Sequence, residues 1–138
     1  LKQYKLKANQ IETNLMDKII NIETFFAFTI LNNFNFLYLS DKVYYENVIE
    51  KENKTVVVKE IMRNKKYSIL IDDTFNVEQL KQKRLLIEKI NKPLKAIAKY
   101  KLKELQEICT KFNIPYLNEN NKNLKKKDLY KKIQEIIY

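Results

Sequence analysis

From Phe34 to Ile71 apolar side chains alternate with polar ones or run in short β-branched and aromatic blocks: FNFLYL (34–39), VYYENVI (43–49), TVVVKEIM (55–62) and YSILI (67–71). A period of two in residues of this kind predicts four strands. The breaks between them, SDK, EKENK and RNKK, are short and polar, which favours antiparallel hairpins and hence a small meander. The chain has no glycine, so Asp41, Asn53 and Asn64 are the residues expected to take left-handed conformations. On either side the period becomes helical. Ile11, Leu15 and Ile19 recur at steps of four, with Met16 and Ile20 beside them, and predict a first helix. Asn21 can cap a second, IETFFAFTILNN, whose Phe25, Phe26, Phe28, Ile30 and Leu31 lie on nearly all sides and imply deep burial. A further helix is expected over Val77–Ile90, ending before Lys92–Pro93, because proline disfavours helical geometry in the residue before it and suits a helix's first turn. Beyond it PLKAIAK predicts a short connecting helix and KLKELQEICTKFN (101–113) a longer one. IPYLNENNKN (114–123) reads as an extended loop and LKKKDLYKKIQEII (124–137) as the last helix.

These elements make an α+β chain in two parts: residues 1–91, helices on one face of a small antiparallel sheet of about four strands, and residues 92–138, a helical module. A length of 138 residues has room for one ordinary domain, or a small domain with a smaller module attached. Hydrophobic residues at 45% and charged residues at 32% are the composition of a folded chain rather than a disordered one. The longest apolar run, FFAFTIL at Phe25–Leu31, is too short to span a bilayer and follows no signal-like pattern, so it reads as a buried helix and no membrane partner is expected. A chain that starts at Leu1 reads as a processed product or as the ordered part of something longer. The single cysteine, Cys109, excludes an internal disulfide framework and a cysteine-based zinc cluster. The absence of histidine removes the commonest metal ligand and the usual catalytic base. No metal or cofactor is expected, and the compartment is expected to be reducing.

Charge changes the picture further. The formal net charge is +10, but residues 1–90 carry 15 basic and 12 acidic side chains, whereas residues 91–138 carry 12 and 5. The excess of +7 in the last third suits a polyanion such as nucleic acid, or less often an anionic membrane or an acidic protein surface. An abundance of Lys, Asn, Ile, Tyr and Phe also marks an A/T-rich coding region, which by itself scatters lysines over solvated faces. Within the last third, Leu102, Leu105, Ile108, Cys109 and Phe112 form one helix stripe and Leu129, Ile133, Ile136 and Ile137 another, with Ile114 and Leu124 closing the ends. Lys103–Glu107 and Glu107–Lys111 are spaced as i,i+4 ion pairs. Lys125, Lys126 and Lys127 fall in the first turn of the last helix, where the macrodipole makes cations unfavourable by about 0.3–1 kcal/mol each. Local helix stability does not explain them, and a phosphate at that terminus would meet free backbone N–H groups as well as lysines. Lys125 and Lys132 share one flank, Lys127 and Lys131 the outer face, and Tyr116 and Tyr130 could add stacking or groove contacts. The cluster is either a phosphate grip or a solvated face.

The pattern YKLKELQEICTKFNIP…LKKKDLYKKIQEI resembles the SAP domain, a helix, extended loop and helix. The resemblance implies DNA binding, often to A/T-rich DNA, and an alternative use as a docking element in larger proteins. Leu102, Leu105 and Ile108 match the family's apolar positions in its first helix, and Ile114 the apolar residue that ends it. Lys126 matches the basic residue three before the second helix's first core leucine, Leu129, while Lys132 and Ile133 match its basic and apolar pair. Where the family has a glycine near the loop's end this chain has Leu124, and its loop is longer. The resemblance covers about Pro93 to Tyr138. The arrangement of both parts also looks like proteins of large A/T-rich DNA viruses.

Catalytic signals are sparse. Asp72 and Asp73 end the last strand, but a paired Mg²⁺ site needs further converging acids, and Lys59-Glu60 has the wrong order for the Glu-x-Lys of a restriction-type nuclease. Asp-Asp-Thr reads as a turn and helix cap, and Cys109 as a buried thiol on the apolar stripe. The sequence points to a non-enzymatic DNA-binding protein whose contacts are Lys125, Lys126, Lys127, Lys131, Lys132 and Tyr130, with protein partners reached through the first part. The alternative is a structural or scaffolding protein, such as a virion or capsid-associated component.

Overall fold

The computed structural model describes residues 21–61, 66–70 and 76–138. The expected first helix, Asn64 and the pair Asp72 and Asp73 lie outside the described residues. In chain order the elements are α1 (Ile22–Leu31), β1 (Asn35–Leu39), β2 (Val43–Asn47), β3 (Thr55–Ile61), β4 (Lys66–Leu70), α2 (Val77–Gln82), β5 (Leu85–Leu86), a 3₁₀ turn (Ile97–Lys99), α3 (Leu102–Lys111) and α4 (Lys126–Ile137). The chain is α+β, as its periodicities imply.

The sheet is not a meander. Its order is β4-β3-β1-β2-β5, with β1 antiparallel to β2 and parallel to β3, β3 antiparallel to β4, and β2 parallel to β5. β1, NFLYL, is buried along its whole length and takes the centre. The chain after β2 therefore crosses beneath the start of β1 rather than turning back as a hairpin. Asn35 organises that crossing. Its amide nitrogen donates to the carbonyls of Glu50 (2.7 Å) and Asn53 (3.1 Å), and its amide oxygen accepts from the N–H groups of Ile49 (2.8 Å) and Glu50 (3.3 Å). Its own backbone N–H donates to the Lys54 carbonyl at 2.9 Å. A buried amide with its capacity used in this way fixes one path for the connection.

Alternation along β1 and β3 sends Phe36, Tyr38, Val56 and Val58 to one face and Leu37, Leu39 and Val57 to the other. The first face packs on α1; the second receives Tyr44 and, from α2, Val77 and Leu80. Helices therefore cover both faces, against the expectation of one. The first face continues without a break into the helical part through Ile87, Leu94, Leu105, Leu129, Ile133 and Ile137.

Asn21 caps α1 as its position implies, accepting from the Thr24 N–H at 2.9 Å. Phe26 is buried, but Phe28 and Leu31 are exposed, Leu31 to 69%, so deep burial on all sides does not hold. Thr29 is buried and Ile30 packs on the core, so the last turn keeps one side inward while its outer side is exposed, and a reversal follows. There Asn33 and Phe34 donate to Ile30 and Thr29 in a Schellman closure with Asn33 at φ 61°. Asn113 (φ 55°) closes α3 in the same way, its N–H and that of Ile114 donating to Thr110 and Cys109. These two residues and Asn121 (φ 59°), not Asp41 or Asn53, take the left-handed region among the described residues. Asparagine is tolerated there because its short polar side chain can bond locally.

The helix expected over Val77–Ile90 stops at Gln82. Arg84 donates from Nε to the Ser40 carbonyl (2.6 Å) and from a guanidinium nitrogen to Leu80 (2.9 Å), and Leu85 and Ile87 then donate to Lys42 and Tyr44 at the edge of β2. Satisfying that edge and burying Ile87 outweighs continuing a helix. PLKAIAK likewise gives only the 3₁₀ turn, with Leu94 buried and the Leu94 and Lys95 N–H groups donating to the hydroxyls of Tyr138 (3.4 Å) and Tyr100 (3.1 Å).

Candidate nucleic-acid interface

α3 and α4 bury the stripes that their sequences carry. Leu105, Ile108 and Cys109 on α3 and Leu129, Ile133 and Ile137 on α4 are buried together, and Ile114 and Leu124 pack at the ends. Leu102, at the first position of α3, is exposed. Among the described residues neither Lys103–Glu107 nor Glu107–Lys111 closes as an ion pair; these long exposed side chains stay solvated.

The loop before α4 is more ordered than an extended connection. Leu117 and Asn123 form an antiparallel bridge, Asn118 donates to Lys122 at 2.8 Å, and Leu124 donates to Tyr116 at 2.9 Å. The Asn118 amide oxygen accepts from the N–H groups of Asn120 and Lys122, closing the tip that Asn121 turns. This narrow hairpin sets the position at which α4 begins.

Lys125 is the N-cap of α4, one residue outside the first turn, with extended backbone (φ −66°, ψ 152°). Its carbonyl accepts from Asp128 and Leu129, and no side chain caps the helix. α1 and α2 instead start on Asn21 and Asn76, and at the start of α3 the Glu104 carboxylate accepts the Lys101 N–H at 2.6 Å. Lys126 and Lys127 occupy the first turn proper. Lys125, Lys127 and Lys131 are exposed, while Lys126 and Lys132 are half-buried along the stripe's edges. Among the described residues none of the five lysines is in an ion pair. Lys132 also bears on Cys109: burial pushes that thiol up, and the Lys132 charge pulls partly the other way.

Tyr130 sits on the flank opposite Lys132, on the side of Lys126 and Lys127. Its hydroxyl donates to the Lys95 carbonyl at 2.8 Å, its ring lies 6.2 Å from that of Tyr100, and burial raises its pKa. Tyr116 is half-buried against the core. Sequence periodicity missed the Tyr100 partnership, because it pairs a residue of the irregular linker with a helix whose distance along the chain carries no signal.

The signals for chemistry are differently placed. Lys59 is exposed, whereas Glu60 accepts the Tyr38 hydroxyl at 2.6 Å. Burial first, then the bond to Glu60, holds the Tyr38 pKa well above the ordinary tyrosine range. Cys109 is buried, as its place on the stripe implies. Among the described residues no three His, Cys, Asp or Glu side chains are grouped as metal ligands, and no helix is long and apolar enough to cross a membrane. No protein-family model matches the chain, and neither the curated proteins nor the solved structures contain a match to it.

Proposed function

We propose that this chain is a non-enzymatic nucleic-acid-binding protein, in which residues 92–138 act as a SAP-like module on DNA and Lys125, Lys126, Lys127, Lys131 and Lys132 meet its phosphates. The observation that carries the reading is the crowding of Lys125–Lys127 at the uncapped start of α4, without an ion-pair partner among the described residues. Cations there oppose the helix dipole, so folding gains nothing from them, whereas a bound phosphate would gain both charge and free N–H donors. Tyr130 serves on this reading as the residue that holds the linker against the helix. A structural or scaffolding role is the second reading. It draws on Phe28, Leu31 and Phe34, exposed apolar side chains at the end of α1 that suit a protein contact.

The test is titration of a fluorescein-labelled A/T-rich duplex with the wild type and with Lys126→Glu/Lys132→Glu at several salt concentrations. Removing two phosphate contacts should weaken binding at least about tenfold and make the salt slope shallower by about 2. Equal binding by the two proteins, with both folded by circular dichroism, would sink the reading.

A further inference from the structure

The linker between the sheet and α3 is fastened to α4 at two points. Tyr130 donates to the Lys95 carbonyl at 2.8 Å, and the Leu94 N–H donates to the Tyr138 hydroxyl at 3.4 Å. Between these bonds and α3 stands Tyr100, whose ring centroid is 6.2 Å from that of Tyr130 and whose hydroxyl accepts the Lys95 N–H. Tyr100 is flanked in sequence by Lys99 and Lys101, both exposed. Tyr130 follows Lys126 and Lys127 by four and three residues, the spacings at which helix side chains are neighbours. The contact between the two rings therefore brings the linker segment that carries Lys99 and Lys101 to the flank of α4 on which Lys126 and Lys127 neighbour Tyr130.

The charge there is not paired as it is at Lys95. Lys95 pairs with Glu88 at 3.2 Å and lies over the Tyr100 ring at 5.7 Å. Among the described residues Lys99 and Lys101 have no such ion pair. The local acids are Glu104, whose carboxylate is taken up by the Lys101 backbone, and Asp128. Four lysines against these two carboxylates leave an excess of positive charge that a second anion can relieve.

We propose that Lys99 and Lys101 form the second half of a bipartite phosphodiester-binding face, with Lys126 and Lys127 as the first half and the Tyr100–Tyr130 contact as the joint; this rests on the nucleic-acid reading above. The face grips one strand's backbone from two segments of chain, linker and helix. Charge at the linker is then used for binding, and Tyr130 is a positioning residue rather than a stacking one.

The experiment compares, on the full chain and the same labelled duplex, Lys99→Gln/Lys101→Gln with Lys51→Gln/Lys54→Gln, an equal loss of exposed charge in the β2–β3 connection. The linker variant should bind about tenfold more weakly with a salt slope shallower by about 2, while the control stays within about twofold of wild type. All four positions are exposed, so both variants should keep the wild-type melting temperature. Wild-type affinity in the linker variant, or an equal loss in the control, overturns the bipartite face. If Lys126→Glu/Lys132→Glu loses binding while the linker variant does not, the bipartite face fails and the nucleic-acid reading stands. If neither loses binding, both fail.

Discussion

Asn35 heads β1 and Lys125 heads α4, and the two residues are used in opposite ways. Asn35 is 4% exposed and turns its amide inward on the β2–β3 connection, bonding three residues of it. Lys125 is exposed and caps nothing. The surroundings follow the same division. In the sheet part Glu60 answers Tyr38, and Lys81 lies 2.5 Å from Glu46 and over the Tyr44 ring. Among the described residues the Thr24 hydroxyl and the Asn47 amide nitrogen are buried there without a hydrogen-bond partner. In the helical part the lysines of α4 have no ion-pair partner among the described residues. Polar groups turned inward select one path for the chain. Charges turned outward against a helix dipole lower local stability, and the proposed phosphate contacts would offset that cost.

The largest loss is expected at Asn35. Replacing it with leucine leaves the Ile49 and Glu50 N–H groups and the Glu50 and Asn53 carbonyls without their bonds, and should cost about 3 kcal/mol by urea unfolding. A loss below about 1 kcal/mol would mean that the connection is held by something else.

A smaller effect should appear at alkaline pH. Tyr38, and less strongly Tyr44 and Tyr67, are raised chiefly by burial. A raised pKa means that the unfolded chain loses the phenolic proton first, near pH 10, while the folded chain keeps it. The stabilisation is thus complete below that pH and is lost as pH rises toward the folded value. Tyr38 alone should contribute a fall of about 2 kcal/mol by pH 11.5, at about 1.4 kcal/mol per unit. Tyr38→Phe should flatten the profile by one proton, measured as the slope of unfolding free energy between pH 9 and about 11.5. An unchanged slope would remove Tyr38 from the inward-facing set.

How far the sequence carried this picture depends on whether a signal was local. Alternation placed β1, β2, β3 and β4 within a residue or two, and helical spacing found α1 with its Asn21 cap and the buried stripes of α3 and α4. Strand order was not local: whether β3 pairs with β2 or with β1 depends on which strand is apolar enough for the centre and on Asn35, whose partners lie 14 to 18 residues away. β5 was hidden in a helical pattern because its reason, the open edge of β2, is some forty residues upstream. Among the described residues of a chain without glycine, left-handed positions fell at the helix ends, Asn33 and Asn113, and at the hairpin tip, Asn121, rather than at Asp41 or Asn53. At the candidate interface the lysines were legible, whereas Tyr130's bond to the linker was not, because a helical wheel shows which flank a side chain takes but not what meets it.

The smallest effect is the most telling about α4. Lys125 has the extended backbone of an N-cap, so Lys125→Asp would place a carboxylate where the Asp128 N–H can donate to it and where the dipole favours negative charge. The variant should be more stable than wild type by about 0.5–1 kcal/mol. On the recognition reading the same variant should bind duplex DNA more weakly, since a cation that met phosphate has become an anion that repels it. Stability and affinity would then move in opposite directions from one substitution. A merely solvated lysine predicts the first change without the second, so measuring melting temperature and affinity on one preparation decides between the two uses of this helix start.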